Sequence, residues 1–95
     1  MNFGLTPEEF MQSMHEPNLM FLRDKGRDVD TLAGLYATRE WLKTAPTLAL
    51  FYGDEKGHPD DAEIMIGEFR RSMLIDTVEQ EILRQESHPG NTPAQ

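Results

Sequence analysis

The stretch "PDDAEIMIGEFRRSMLIDTVEQEILRQE", residues 59–86, decides the fold of this chain. Pro59 suits the first position of a helix, and three carboxylates follow it where anions favour the positive end of the helix dipole. A helix of this length spans about 42 Å at 1.5 Å per residue, whereas a small domain is only about 30 Å across. We therefore predict a long C-terminal helix over 59–86 that projects from the core, lies along a partner or is interrupted at Gly67.

Two apolar stripes run along this predicted helix on nearly opposite sides. The first-half stripe comprises Ala62, Met65, Ile66, Phe69 and Met73. The second-half stripe comprises Leu74, Ile75, Val78 and Ile82, with Ile64 on the same side. Because one small core does not easily cover both sides of a long helix, one stripe is expected to bind another chain. We predict that this interface is the second-half stripe of Leu74, Ile75, Val78 and Ile82.

The N-terminal segment contains a strong helix start. In "LTPEEF", residues 5–10, Thr6 is the predicted N-cap and Glu9 closes a capping box. Pro17 disfavours helical geometry in the residue before it, so we predict a short helix over 7–15. Phe10, Met11 and Met14 form its apolar side, and the alternative to a partner is that this helix folds back over the second-half stripe.

A second helix is predicted over 29–44, capped by Asp28 or Asp30 and stopped before Pro46. It carries two stripes at helical spacing, which predict that it is covered on two sides and forms the centre of the fold. One stripe comprises Leu32, Leu35, Tyr36 and Leu42, and the other comprises Ala33, Ala37, Trp41 and Ala45. We predict that Trp41 is a structural core residue rather than a ligand-stacking one.

Two short apolar runs, residues 18–22 and 47–53, leave helical turn and strand both open, since periodicity does not separate them at this length. For 47–53 we favour a helical turn ended by Gly53. The prediction is an all-α fold: a single helical domain over 1–86 with about three main helices and possible short extra turns. Residues 87–95, rich in Pro, Gly and Asn, are expected to form a disordered tail.

The segment "GDEKGHPDDAE", residues 53–63, places five carboxylates and one imidazole in eleven residues. A divalent metal site or an acid–base site is one hypothesis for it. We favour a solvated loop and the start of a helix, with His58 at the N-cap position. Asp60 and Asp61 are adjacent, so on a helix their side chains point about 100° apart, which disfavours shared metal ligation.

The composition excludes several classes of function. The net charge of −8 and the pI near 4.7 argue against direct binding of nucleic-acid phosphates and of anionic membranes. The chain has no cysteine, which excludes disulfides and thiolate metal sites. No apolar run is long enough for a transmembrane helix and no signal-peptide pattern is evident, so a cytoplasmic location is expected. Serine-nucleophile, phosphate-loop and zinc-protease motifs are missing.

These observations predict a small acidic non-enzymatic protein that binds another protein through apolar helix faces, as an adaptor, assembly factor or inhibitor. No cofactor is expected, and the partner is either a foreign protein or a second copy of the chain. One alternative is an acidic decoy that blocks a nucleic-acid-binding groove on a target protein. The other is a small enzyme or metal-binding protein that uses the acidic stretch 54–63, with His58, Asp60 and Asp61.

Overall fold

The computed structural model describes residues 4, 6–51 and 58–87. Three α-helices follow one another: α1 (Pro7–Asp24), α2 (Leu32–Thr44) and α3 (Asp61–Ser87), with a 3₁₀ helix, Thr47–Leu50, between α2 and α3. Strands do not occur in these described ranges. The predicted all-α fold with a long C-terminal helix is therefore confirmed, whereas the predicted tail beyond Ser87 lies outside the described residues.

The start of α1 is the predicted capping box. The Glu9 N–H donates to Oγ1 of Thr6 at 3.0 Å, and the Thr6 N–H donates to Oε1 of Glu9 at 2.9 Å. These two bonds satisfy backbone donors that have no partner in the first helical turn. The local sequence signal was sufficient here because every participating group lies within four residues.

The predicted end of α1 is wrong, because the helix continues through Pro17 to Asp24. Proline in a helix interior costs about 3 kcal/mol. The continuation buries Leu19, Phe21 and Leu22, and each fully buried apolar side chain stabilises the fold by about 1.5–3 kcal/mol. Burial of three such residues therefore outweighs the proline, and the apolar run 18–22 is helical rather than a strand.

A glycine in the left-handed region ends α1. Gly26 has φ 83°, its N–H donates to the Arg23 carbonyl at 2.9 Å, and the Arg27 N–H donates to the Leu22 carbonyl at 2.8 Å. These bonds satisfy carbonyls that the helix end leaves without partners. The chain can therefore reverse directly after the apolar run.

The second helix starts three residues later than predicted and has a different cap. Thr31 is the N-cap, and the Gly34 N–H donates to its hydroxyl at 3.0 Å. Asp28 supports the turn before it, since the Asp30 N–H and the Thr31 hydroxyl both donate to its carboxylate, at 2.9 and 2.7 Å. Those hydrogen bonds hold the pKa of Asp28 below its ordinary value, and the bond from the Asp30 N–H has the largest effect. The helix ends at Thr44, as predicted.

The centre of the fold is α3, not α2 as predicted. Both α1 and α2 pack on α3, and both run antiparallel to it, because later residues of α1 and α2 pair with earlier residues of α3. The side-chain pairs that join them are His15 with Glu81 and Asn18 with Thr77 for α1, and Tyr36 with Glu86 and Arg39 with Glu79 for α2. The buried core comprises Leu19, Phe21, Leu22, Val29, Leu35, Leu42, Ala45, Ala49, Leu50, Leu74, Val78 and Ile82.

Neither of the two stripes predicted for α2 is covered along its whole length, since Tyr36 of the first is 38% exposed and only the end of the second is buried, at Ala45. Leu35 and Leu42 are fully buried, whereas Ala33 and Ala37 are exposed. Trp41 is half-buried and packs against the edge of the core, with the Arg27 guanidinium 5.0 Å from its ring centroid. The prediction that Trp41 contributes to packing is confirmed, but its full burial is not.

The 3₁₀ helix fills the space between the end of α2 and the first half of α3. It buries Ala49 and Leu50, and the favoured helical turn is confirmed for 47–50, while Gly53 lies outside the described residues. Gly67 does not interrupt α3 but is buried against Thr47. In the described ranges, none of the helices combines the length and apolarity needed to cross a bilayer.

Candidate functional site

The predicted interface on the second half of α3 lies inside the chain. Leu74 and Val78 are fully buried, Ile82 is 4% exposed and Ile75 is half-buried against the core. This corrects the expectation that the stripe is open to a partner, because a side chain that packs on its own core has no surface left for docking. The predicted alternative, in which α1 folds back and covers the second-half stripe, agrees better with the observed packing.

The residues of α1 that pack near this stripe differ from those expected. Phe10 is exposed and Met11 and Met14 are only half-buried. Leu19 and Leu22 belong to the same core as the second-half stripe, together with Leu35 of α2. These leucines are in place because α1 continues past Pro17, which local sequence rules did not predict.

The first half of α3 carries several adjacent uncovered apolar side chains, although Met73 of the first-half stripe is buried. The exposed fractions are 73% for Met65, 60% for Phe69 and 55% for Ile66, and Ala62 is also exposed. Their spacing places them within a sector of about 100° of the helix. We call this set, Ala62, Met65, Ile66 and Phe69, the α3 apolar face. Adjacent exposed apolar side chains of this size mark interaction sites more often than isolated ones do.

The position of this face follows from how the helices pack. On the opposite side of α3, buried Gly67 permits close approach of the 3₁₀ helix. Phe21, near the end of α1, reaches Arg70 with the guanidinium carbon 4.4 Å from its ring centroid. The α1 helix then ends at Asp24. The first two turns of α3 therefore extend beyond the neighbouring helix, and one side of them stays exposed.

The exposed charged residues around the α3 apolar face are acidic. Four exposed carboxylates surround it: Asp61, Glu63, Glu68 and Asp76. The two cations of the segment, Arg70 and Arg71, are half-buried, and Arg71 pairs with Glu68 through Nε at 3.2 Å. Arg70 donates to the Leu50 carbonyl, and Arg71 donates to the Leu42 carbonyl at 2.5 Å. We call the four carboxylates, Asp61, Glu63, Glu68 and Asp76, the rim of the face; the rim that a partner would meet is therefore acidic.

A second concave region lies between the first half of α1 and the second half of α3, with a volume of about 930 Å³. Glu81 lies in its wall, almost fully buried, with Oε1 2.9 Å from Nε2 of His15. Arg84 donates to the same carboxylate and, with His15, holds the pKa of Glu81 below its ordinary value against the opposing effect of burial. These polar groups are paired within the chain, so they join α1 to α3.

Glu81 is a residue whose role the sequence reasoning missed. It lies three residues after Val78 and one before Ile82, inside the sector of α3 that faces the core. A carboxylate at such a position needs a partner, because an unpaired buried charge is costly. That spacing, considered with the histidine on α1, is a signal that could have identified the His15–Glu81 pair.

In the acidic stretch 53–63, the carboxylates that the structure describes have mostly a structural role. The Glu63 N–H donates to Oδ1 of Asp60 at 2.7 Å, and the Asp60 N–H donates to Oε1 of Glu63 at 2.9 Å. The N-cap of α3 is therefore Asp60 rather than His58, because an aspartate accepts this bond and is a preferred cap. Asp54 and Glu55 lie outside the described residues. Within those residues, three or more histidines and carboxylates do not gather anywhere in a metal-binding arrangement.

Comparison with known proteins adds no functional assignment, since no protein-family model, curated protein or solved structure is detectably similar to this chain. The functional conclusion therefore depends on the surface of the chain itself, in which the α3 apolar face is the clearest candidate site.

Proposed function

We propose that this chain is a non-enzymatic helical interaction protein, an adaptor, assembly factor or inhibitor that binds another protein through the α3 apolar face. The observation that supports it is the exposure of Met65, Ile66 and Phe69 side by side on one helix. This retains the function predicted from the sequence and moves the docking surface from the second half of α3 to the first.

The two halves of α3 provide an internal comparison. In the second half the outward positions include Asp76, Glu79 and Gln80, with Leu83 as the single large apolar residue that is exposed there. In the first half the corresponding outward positions are methionine, isoleucine and phenylalanine. Stability of the free chain does not require these residues there, because an exposed helix position is satisfied by any good helix former. A requirement for binding accounts for the difference.

The free energy available at this face is of the right order for a binding surface. Complete burial of a methionine, isoleucine or phenylalanine side chain stabilises by about 1.5–3 kcal/mol relative to full exposure. Met65, Ile66 and Phe69 are each more than half exposed. Together they would contribute about 3–5 kcal/mol before the costs of association. A partner groove that encloses these side chains, in the helix-in-groove mode, would gain most of this free energy.

The proposal is tested in two steps. Proteins that associate with the affinity-tagged chain are isolated from its source cells, and each is then purified and titrated against the purified chain. We expect that at least one binds directly and that Phe69→Ser weakens this binding tenfold or more, about 1.4 kcal/mol. Circular dichroism of the variant should be unchanged, since Phe69 is 60% exposed.

Leu83→Ser is the matched control. Leu83 is 56% exposed, close to the value for Phe69, and lies on the same helix outside the α3 apolar face. Its substitution should leave the affinity within about twofold of the wild type. If Leu83→Ser and Phe69→Ser weaken binding equally, or if no purified protein binds the chain directly, the proposal is wrong.

A further inference from the structure

We propose that the partner segment at the α3 apolar face is a basic amphipathic helix of another protein. This inference rests on the proposed function and names the chemistry of the partner.

The carboxylates lie where they would meet the edges of a docked helix. Counted at 100° per residue, Asp61 and Glu68 border one side of the α3 apolar face and Glu63 borders the other. Asp76 lies two turns beyond Phe69, in line with the centre of the face. All four are exposed, and Asp61 and Asp76 make no hydrogen bond or ion pair with the described residues. A partner with Lys or Arg beside its apolar stripe would match this rim.

Among the described residues, Glu68 is the only one of the four rim carboxylates that pairs with a cation of α3. The Arg70 guanidinium lies 4.4 Å from the ring centroid of Phe21 and 5.9 Å from that of Phe51. Arg71 donates to the Leu42 carbonyl and, from Nε, to both carboxylate oxygens of Glu68 at 3.2 Å. Both arginines therefore hold α3 to the rest of the chain, and the outward field of this segment is negative.

A second copy of the chain is a poorer occupant of the same face. Pairing two copies through this face would bring two acidic rims together, in addition to the net charge of −8 that each chain carries. Like charges placed opposite each other at an interface disfavour the complex. A basic helix gains from the same charges, both in affinity and in the rate of encounter.

The length of the face sets the size of the partner segment. Ala62 to Phe69 covers two helical turns, or about 11 Å along the axis. An amphipathic helix of three to four turns would cover the three large side chains and reach the carboxylates at both ends. The probe for the experiment is therefore a helical peptide of 14 residues, with leucines on one side and lysines on the other. Its control has glutamate in place of lysine.

Binding of each peptide to the full chain is measured by fluorescence anisotropy at two salt concentrations. The lysine peptide should bind the wild type, and Phe69→Ser should weaken it about tenfold. The rim variant, Asp61→Asn with Glu68→Gln and Asp76→Asn, should also weaken it about tenfold and reduce its salt dependence. The glutamate peptide should bind at least ten times more weakly than the lysine peptide.

A charge-matched variant separates the rim from the overall charge. Glu8→Gln with Glu16→Gln and Glu40→Gln also removes three negative charges, at exposed positions away from the face. This variant should change the affinity for the lysine peptide less than twofold. If both triple variants weaken binding equally, attraction is to the net charge alone and the inference is overturned.

Two further outcomes would overturn the inference without contradicting the proposed function. The first is that lysine and glutamate peptides bind equally and both depend on Phe69, which would leave an apolar face without charge selection. The second is that the wild type alone sediments as a dimer that Phe69→Ser dissociates, which would make a second copy the occupant. The proposed function itself is decided separately, by whether a protein purified from the source cells depends on Phe69.

Discussion

A Cβ atom on Gly67 would clash with Cγ2 of Thr47, because the two would lie closer than non-bonded carbon atoms can approach. The glycine in the second turn of α3 therefore lets the 3₁₀ helix approach α3 closely. A glycine in a helix interior costs about 1 kcal/mol relative to alanine. Here that cost is offset by the close approach, which brings buried Ala49 and Leu50 into the core.

Gly67→Ala should destabilise the chain even though alanine is the better helix former. The added methyl group overpacks the contact with Thr47, at a cost of about 1–3 kcal/mol against a gain of about 1 kcal/mol in helix propensity. Adding Thr47→Ala removes Cγ2, so the double variant should recover wild-type stability or exceed it. Urea denaturation of the three variants measures this. A single Gly67→Ala variant that is more stable than the wild type would contradict the close packing.

Val78→Asp combined with Ile82→Lys should unfold the chain. Val78 is fully buried and Ile82 is 4% exposed, so both charges would enter the core. The two charges lie four residues apart and can pair, but taking both out of water still costs several kcal/mol, and a small domain has only about 5–15 kcal/mol of stability. The matched variant, Met65→Ser with Phe69→Ser, should retain wild-type helicity by circular dichroism. If the core variant stays helical, the second half of α3 is not the core face.

Stability should fall in acid in a manner that depends on Glu81. Arg84 and His15 lower the pKa of this carboxyl from its ordinary value of 4.5. A lowered folded-state pKa stabilises the fold fully above the unfolded pKa, and this contribution is lost as the pH falls through the folded value. Unfolding free energies measured from pH 6 to pH 3 should therefore decline below about pH 4.5 in the wild type.

Glu81→Gln should make this decline shallower, since glutamine does not titrate. Glu16→Gln, at an exposed position of α1, removes the same charge but keeps the contacts of Glu81 with Arg84 and His15, so its decline should stay steeper than that of Glu81→Gln. The Glu81 variant should also be less stable than the wild type at pH 7, because Arg84 and His15 lose their charged partner. Equal slopes for the wild type and Glu81→Gln would show that this carboxyl does not contribute to the acid transition.

Trp41→Ala should cost less than Leu42→Ala. Leu42 is fully buried, and such a truncation costs about 2–5 kcal/mol. Trp41 is half-buried at the edge of the core, where part of its ring meets the Arg27 guanidinium instead of apolar side chains. We expect a loss of about 1–2 kcal/mol in the free energy of unfolding. A larger loss than for Leu42→Ala would place the tryptophan in the core, as the sequence pattern predicted.

The fold class could be predicted because the signals for it are local. The capping box of Thr6 and Glu9, the stop after Thr44 and the start of α3 before Asp61 all involve groups within a few residues of one another. The same reasoning failed at Pro17, where the local preference to end the helix is real but smaller than the free energy of burying Leu19, Phe21 and Leu22. Burial depends on what lies opposite, and a single helix does not contain that information.

For the candidate site too, the sequence determined one part and the tertiary structure determined the other. The two stripes on α3, and the conclusion that one core would not cover both, were properties of the sequence alone, because side-chain direction on a helix follows from spacing. Which stripe stays exposed was decided by the tertiary structure. The α1 helix runs through Pro17 and brings Leu19 and Leu22 into the core with the second half of α3, then ends at Asp24. Met65 and Phe69 remain exposed because the apolar surface available from α1 and α2 is used on the other half of α3.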